Sequence, residues 1–398
     1  MKILLVNKYW YLRGGAERVV FATKELLERA GHAVEIFGLR HPDNIVTRDY
    51  FVDGGDYEHG RGLALLRAGW QSVYNREAKR AFARCVADFK PDVVHFHNIY
   101  HQLSFSLLDV VRASRLPAVM TLHDYKMISP NYTLYHHGQI REESVGGKYY
   151  RCLTQNALER VAASGAAMVE AYVRAWRGWR HDIRVYISPS DFLREKFIAA
   201  GWSGDRIVVL RNPIDAVRYP VTVGDEGYVA YIGRLSQEKG AEVFLRAAAQ
   251  TPEIQYMVVG DGPLLPALRR LASANVHFVG WQTGADLERL ANDARLIVAP
   301  SLWYENYPYS ILEAKARAKI VLASDIGGIP ELLPSNFLVP PGDADAFAER
   351  VKYFYNLPAA ERQRRGAVLR REVAEVNDPA KYLDGLLRVY EAASQDIF

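Results

Sequence analysis

Two carboxylates, two cations and a histidine are the residues of this chain best placed to do chemistry. Glu305 and Glu313 stand eight positions apart in Glu305-Asn-Tyr-Pro-Tyr-Ser-Ile-Leu-Glu313. The stretch spans a junction between an apolar, strand-like run (Ala294–Pro300) and a helical segment starting near Pro308. Proline is tolerated in the first helical turn, where its missing N–H would be unpaired anyway. The spacing puts Glu305 at the mouth of a helix N-terminus and Glu313 about two turns inside. Backbone N–H groups at such a terminus can hold hydroxyl or phosphate oxygens. Arg234 and Lys239 lie five apart in the glycine-bounded loop Gly233–Gly240, which follows a strand and opens a helix. A guanidinium fork and an ammonium point charge so placed can clasp a diphosphate. His123 ends the run Ala118–Leu122 and precedes Asp124. There its imidazole can donate to a hydroxyl or stabilise developing charge.

Other motifs carry weaker signals. Gly14-Gly15 opens a helix after the first strand, and its backbone can approach an anion closely. The pair is not Gly-x-Gly-x-x-Gly, and no acidic residue ends the second strand (Phe37-Gly-Leu-Arg40), which disfavours a dinucleotide site. The absence of Gly-Lys-Ser/Thr speaks against a P-loop. His95, His97 and His101 cluster at a strand end but have no carboxylate or fourth ligand at metal-binding spacing, so no metal is expected. Tyr172, Trp176 and Trp179 interleave with Arg174, Arg177, Arg180 and Arg184. That pattern suits either an interfacial helix on anionic lipid or a helix with a tryptophan core face and an arginine wet face.

The elements that must hold these residues alternate between short β-branched runs and longer helical ones. Strand-like runs in the first half are Ile3–Asn7, Ala33–Phe37, Asp92–Phe96, Ala118–Leu122, Arg184–Ile187 and Ile207–Leu210. In the second half they are Tyr228–Ile232, Ile254–Val259, Val276–Val279, Leu296–Ala299 and Ile320–Ala323. The rhythm predicts two parallel, doubly wound α/β domains, and most of the unusual residues fall just after strands, where such sheets bind ligands. The expected division is 1–211, a proline-marked linker at 212–226, and 227–378, with a closing helix in 379–398 packing back on the first domain. The 398 residues suit two domains. A formal charge of +4 does not imply nucleic acid, and 49% hydrophobic with 24% charged residues is a soluble globular composition. Two separated cysteines, Cys85 and Cys152, suggest a reducing compartment, and no run reaches the length of a membrane span. A cytoplasmic location is expected, with the Arg/Trp segment as a candidate peripheral membrane contact.

Taken in order, Gly14-Gly15-Ala-Glu, Thr121-Leu-His123-Asp, Ile187-Ser-Pro-Ser190, Arg211-Asn-Pro-Ile-Asp215 and Gly233-Arg-Leu…Glu238-Lys-Gly240 resemble glycosyltransferase family 4. Gly260-Asp-Gly-Pro, Phe278-Val-Gly-Trp281, Ala299-Pro-Ser301, Glu305-x7-Glu313 and Ala323–Leu333 continue the series. The resemblance covers nearly the whole chain. It implies a GT-B fold, two Rossmann-like domains facing a central cleft, and retaining transfer from a nucleotide sugar to a glycan or lipid-linked acceptor. No cofactor or metal is implied. By the same resemblance Arg234 and Lys239 hold the donor diphosphate and Glu313 the ribose hydroxyls. Glu305, with the backbone at Asn306 and Tyr307, would hold the donor sugar. Gly14 and Gly15 would approach the donor, and His123 would contact the sugar near the reaction centre. Two departures stand out. Ala318 replaces a glycine usual in relatives, and the insertion at 131–156 keeps only Cys152 where relatives often carry several cysteines. An epimerase or phosphorylase on the same fold, and a non-catalytic nucleotide-sugar binder, are the competing readings.

Overall fold

A computed structural model describes residues 1–54, 69, 71–222 and 224–395. The chain divides into two compact units. One comprises Met1–His137, Arg141–Asn212 and Ala380–Phe398, and the other Gly138–Ile140 and Pro213–Pro379. Residues 213–226 thus belong to the second unit. There the guanidinium of Arg370 donates to the carbonyls of Ala216 and Tyr219, each at 2.8 Å.

Each unit is built on a six-stranded sheet whose pairings are all parallel. The first contains β1 (Lys2–Val6), β2 (Ala33–Phe37), β3 (Val93–Phe96), β4 (Ala118–Thr121), β5 (Val185–Ser188) and β6 (Ile207–Val209), in the spatial order β6-β5-β4-β3-β1-β2. The second contains β7 (Tyr228–Ile232), β8 (Gln255–Val259), β9 (Val276–Gly280), β10 (Leu296–Ala299), β11 (Ile320–Ser324) and β12 (Leu338–Val339). Its order is β9-β8-β7-β10-β11-β12. β1, β3 and β4 are buried almost throughout, as parallel strands covered on both faces must be, which is why they read as unbroken apolar runs. The two-residue edge strand β12 is too short to show any pattern in the sequence.

Helix Pro379–Ser394 belongs to the first unit, where Tyr382, Leu386, Val389, Tyr390 and Ala393 join Ile3, Leu5, Val93 and Val119 in one core. Residues 396–398 of the expected closing segment lie outside the described residues. Asp343 caps helix Ala344–Tyr355 by accepting from the Ala346 N–H at 2.9 Å. Both cysteines are buried and unpaired.

The Arg/Trp segment is not one interfacial helix. Helix Val161–Arg177 ends at Gly178 in the left-handed region, and Trp179–His181 form a separate turn. Trp179 is fully buried and donates its indole N–H to Asp109, which Arg177 also binds. Arg174 is buried against Glu170 and donates to the Lys126 carbonyl. The Asp109 carboxylate outcompetes any interfacial role for these groups. Trp176 remains outside at 82% exposure, with Tyr172 and Val169 on the same helix also exposed.

Candidate functional site

In the second unit the strand order reverses between β7 and β10. Crevices at such switch points, outside the carboxyl ends of the strands, are where doubly wound sheets bind ligands. The loop leaving β7 runs from Gly233 through a short turn, Gln237–Lys239, into helix Ala241–Ala249. Gly240 has φ +70°, and a Cβ there would collide with the Pro300 carbonyl at the end of β10. Glycine therefore lets the two loops close on one another, and Leu302 N–H donates across to the Glu238 carbonyl at 2.8 Å.

Closure brings Lys239 Nζ to 2.7 Å from Glu305 Oε1. Ser301 Oγ donates to the same oxygen at 2.8 Å, and the ammonium lies 4.8 Å from the centre of the Trp303 ring. Burial pushes the Glu305 carboxyl up, but Lys239, Trp303 and Ser301 together more than offset it, leaving the pKa below its ordinary value. Glu305 is therefore a carboxylate, matched by a fixed cation. The backbone at Glu305 is held from behind: its carbonyl accepts from Gly328 N–H at 2.7 Å, and Gly327, with φ +63°, has no room for a side chain against it. Arg234 is exposed on the same loop as Lys239, while its carbonyl accepts from Tyr231 Oη at 2.8 Å.

Helix Tyr309–Ala316 starts immediately after Pro308, so Glu313 is its fifth residue and sits little more than one turn in, not two. Tyr219 Oη donates to Glu313 Oε1 at 3.2 Å. Asn306 is half-buried. Tyr307 is buried, and its hydroxyl accepts from Asn377 Nδ2 at 3.0 Å, so its side chain serves the unit's own packing. Sequence reasoning missed Trp303 and Tyr219. Neither belongs to a spaced motif, and Tyr219 is brought to Glu313 only by the fold. Ser301 appeared in the Ala-Pro-Ser motif without a role.

In the first unit Gly14 caps helix Gly15–Arg29 in an extended conformation and is exposed. A Cβ at Gly14 would make only ordinary contact with Glu17, at 3.6 Å. Nothing within the unit requires glycine there. His123 follows β4, half-buried, with Nε2 2.9 Å from Nδ1 of His97 and the two rings stacked. Burial holds the His123 pKa down at about 4, so the imidazole is neutral at neutral pH. His95 is also buried, its nitrogens each 2.8 Å from Tyr390 Oη and Thr121 Oγ1. The expected histidine cluster is thus joined by His123, through His97. Among the described residues, no three His, Cys, Asp or Glu side chains converge as a metal site.

Comparison with known proteins agrees with this architecture. The profile described as "Glycosyltransferase Family 4" matches residues 13–218, more than half of the chain, and "Glycosyl transferases group 1" matches 226–356. An uncharacterized 42.6 kDa protein in the cps region of Klebsiella pneumoniae is 25% identical over 353 residues, covering 83% of this chain and 87% of that one. The phosphatidyl-myo-inositol mannosyltransferase of Mycolicibacterium smegmatis is 26% identical, covering 87% and 83%. Among solved structures, Anabaena Alr3699/HepE in complex with UDP-glucose superposes with a TM-score of 0.65 at 18% identity, covering 98% of this chain and 100% of that one. The sucrose-phosphate synthase of Thermosynechococcus elongatus reaches 0.72 at 18%, covering 98% of each chain. On this evidence the chain belongs to glycosyltransferase family 4 and is a glycosyltransferase of GT-B fold.

Proposed function

We propose that this enzyme is a retaining, metal-independent glycosyltransferase. It moves a sugar from a nucleoside-diphosphate sugar to a glycan or lipid-linked acceptor in the synthesis of a surface polysaccharide or glycolipid. The observation that carries the reading is the Lys239–Glu305 pair at the switch point of the second sheet, with Arg234 on the same loop. The relatives' names support the donor and acceptor classes: one solved structure holds UDP-glucose, and one relative is a mannosyltransferase of a phosphatidylinositol.

In this reading Lys239 and Arg234 bind the diphosphate, Glu313 the ribose hydroxyls, and Glu305 with the backbone of Asn306 and Tyr307 the transferred sugar. Gly14 and Gly15 give the donor close backbone approach, and His123 donates to the sugar as a neutral imidazole. The bond from the anomeric carbon to the β-phosphate oxygen breaks, and negative charge grows on that oxygen. Lys239 and Arg234 stabilise it electrostatically, the task a divalent cation performs elsewhere. The acceptor hydroxyl attacks from the face the phosphate leaves, and its proton passes to the departing phosphate oxygen. Glu305 acts as a binder, because its carboxylate is already engaged by Lys239 and Ser301.

Radiolabelled sugar transfer tests this. Arg234→Ala with Lys239→Ala, or Glu313→Ala, is expected to lower transfer at least a hundredfold, and full activity in all of them would sink the reading. Incubation of donor alone separates the competing activities, since an epimer or a sugar phosphate would mark an epimerase or a phosphorylase. We also propose that the exposed Val169, Tyr172 and Trp176 rest on an anionic membrane surface. Trp176→Ser alone should weaken vesicle co-sedimentation, and unchanged sedimentation rejects the contact.

A further inference from the structure

His95 and His97 lie two apart at the end of β3, so they project from one face of the first sheet. β4 runs alongside in parallel, with His95 opposite Val119 and Phe96 opposite Met120. The strand end that follows carries His123 across to His97, at 2.9 Å between Nε2 and Nδ1. Burial keeps both rings neutral, so a single proton occupies that bridge.

Two arrangements are open, and the second nitrogen of His97 decides between them. His97 Nε2 is buried and has no hydrogen-bond partner. If His123 donated to His97, the proton of His97 would sit on Nε2 as a stranded buried N–H. If His97 donates from Nδ1, Nε2 is left as a bare lone pair. Orphaned buried N–H groups are rarer than under-satisfied acceptors, so the second arrangement is favoured. His95 offers His97 Nε2 no proton. Its ring packs 4.2 Å from that of His97, and its own nitrogens are engaged by Tyr390 and Thr121.

We propose that His97 is a positioning residue that fixes His123 as its Nδ1–H tautomer, so that Nδ1 is the one ring N–H that His123 can offer to a bound sugar. His97 touches no reacting atom and acts through His123. The role in transfer rests on the reading of His123 given above, but the pairing does not. Ring orientation and tautomer are both set by the partner nitrogen, as they are wherever a histidine is held by a second group.

Long-range 1H–15N correlation spectra of the full chain labelled with [15N]histidine test the tautomer directly, with His123→Gln identifying the resonances. At pH 7.5 His123 is expected to carry its proton on Nδ1. In His97→Phe, which keeps a ring and loses both nitrogens, His123 should revert to the Nε2–H form that free imidazole side chains favour. His97→Asn, whose amide N–H can replace the Nδ1 donor, should restore the Nδ1–H form and also controls for misfolding. Sugar transfer should fall about tenfold in kcat in His97→Phe, with little change in donor KM, and recover in His97→Asn. An Nε2–H tautomer in the native chain, or one indifferent to His97→Phe, overturns the proposal. A tautomer switch without a change in kcat overturns the positioning role. It leaves the diphosphate reading intact, because that is tested separately at Arg234 and Lys239.

Discussion

At position 318, just past helix Tyr309–Ala316, the backbone turns through φ +56° with an alanine in place. The Cβ of a non-glycine residue in the left-handed region costs about 1–2 kcal/mol. Ala318→Gly should therefore stabilise the protein by about 1 kcal/mol, part of the relief being offset by the extra freedom of the unfolded chain. Urea unfolding measures it, and a lower midpoint would refute the strain argument. Gly14 presents the opposite case, a glycine whose conformation any residue could adopt. Asparagine is a better N-cap than glycine, so Gly14→Asn should hold or slightly raise stability. If the donor approaches that backbone, the same substitution should raise donor KM at least tenfold. Loss of stability with unchanged KM would mean that the glycine serves the fold alone. The anomaly at 318 was legible in the sequence as a missing glycine, whereas its φ was not.

Among the elements, β3 and the segment after β4 concentrate buried histidines that resist protonation. Burial depresses His95 to about 3 and His123 to about 4, and depresses His97 and His101 as well. Unfolded histidines titrate near 6.5, so on acidification below that value the unfolded chain binds protons that these four refuse. Stability then falls with falling pH by up to about 1.4 kcal/mol per unit for each such group, a loss complete only below the folded-state values. Asp124, raised by burial to about 6, and Glu17, also raised by burial, oppose this as the pH drops further, because their folded forms hold protons more tightly. The four histidines outnumber the two carboxyls. Unfolding midpoints should therefore drop between pH 7 and pH 5, and the slope should flatten in His95→Gln. A midpoint that rises on acidification would contradict the assignment. Strands such as β7 and β10 were legible because buried parallel strands are unbroken β-branched runs. The pairing of His97 with His123 was not, since strand register alone joins residues 26 positions apart. Trp179 misled for a related reason: an arginine-rich surround suggests an interface until Asp109 is seen to accept its N–H.

For the molecule as a whole, the two units are not two consecutive stretches of chain. The chain leaves the first unit after Asn212 and returns at Ala380. Five side chains of helix Pro379–Ser394 are buried in the first unit's core, a contribution on the order of 10 kcal/mol. That is comparable to the whole net stability of a typical domain. A fragment of residues 1–212 should therefore fail to unfold cooperatively in urea, while a fragment of 213–379 should show a cooperative transition. Cooperative unfolding of 1–212 alone would show that the returning helix is dispensable. The two sheets and their order of strands were foreshadowed by the alternating rhythm of the sequence. The two-residue strand β12 was not, because nothing so short has a period.

The return of the last helix also sets a timetable for biogenesis. During synthesis the first unit is exposed from the ribosome with one face of its core uncovered, and it stays so until the second unit has been made. At about 5–20 residues per second, that interval lasts on the order of 10–30 s. The second unit can finish folding inside it. The unit that is translated first is thus completed last, and for those seconds it depends on chaperones more than a self-contained domain would.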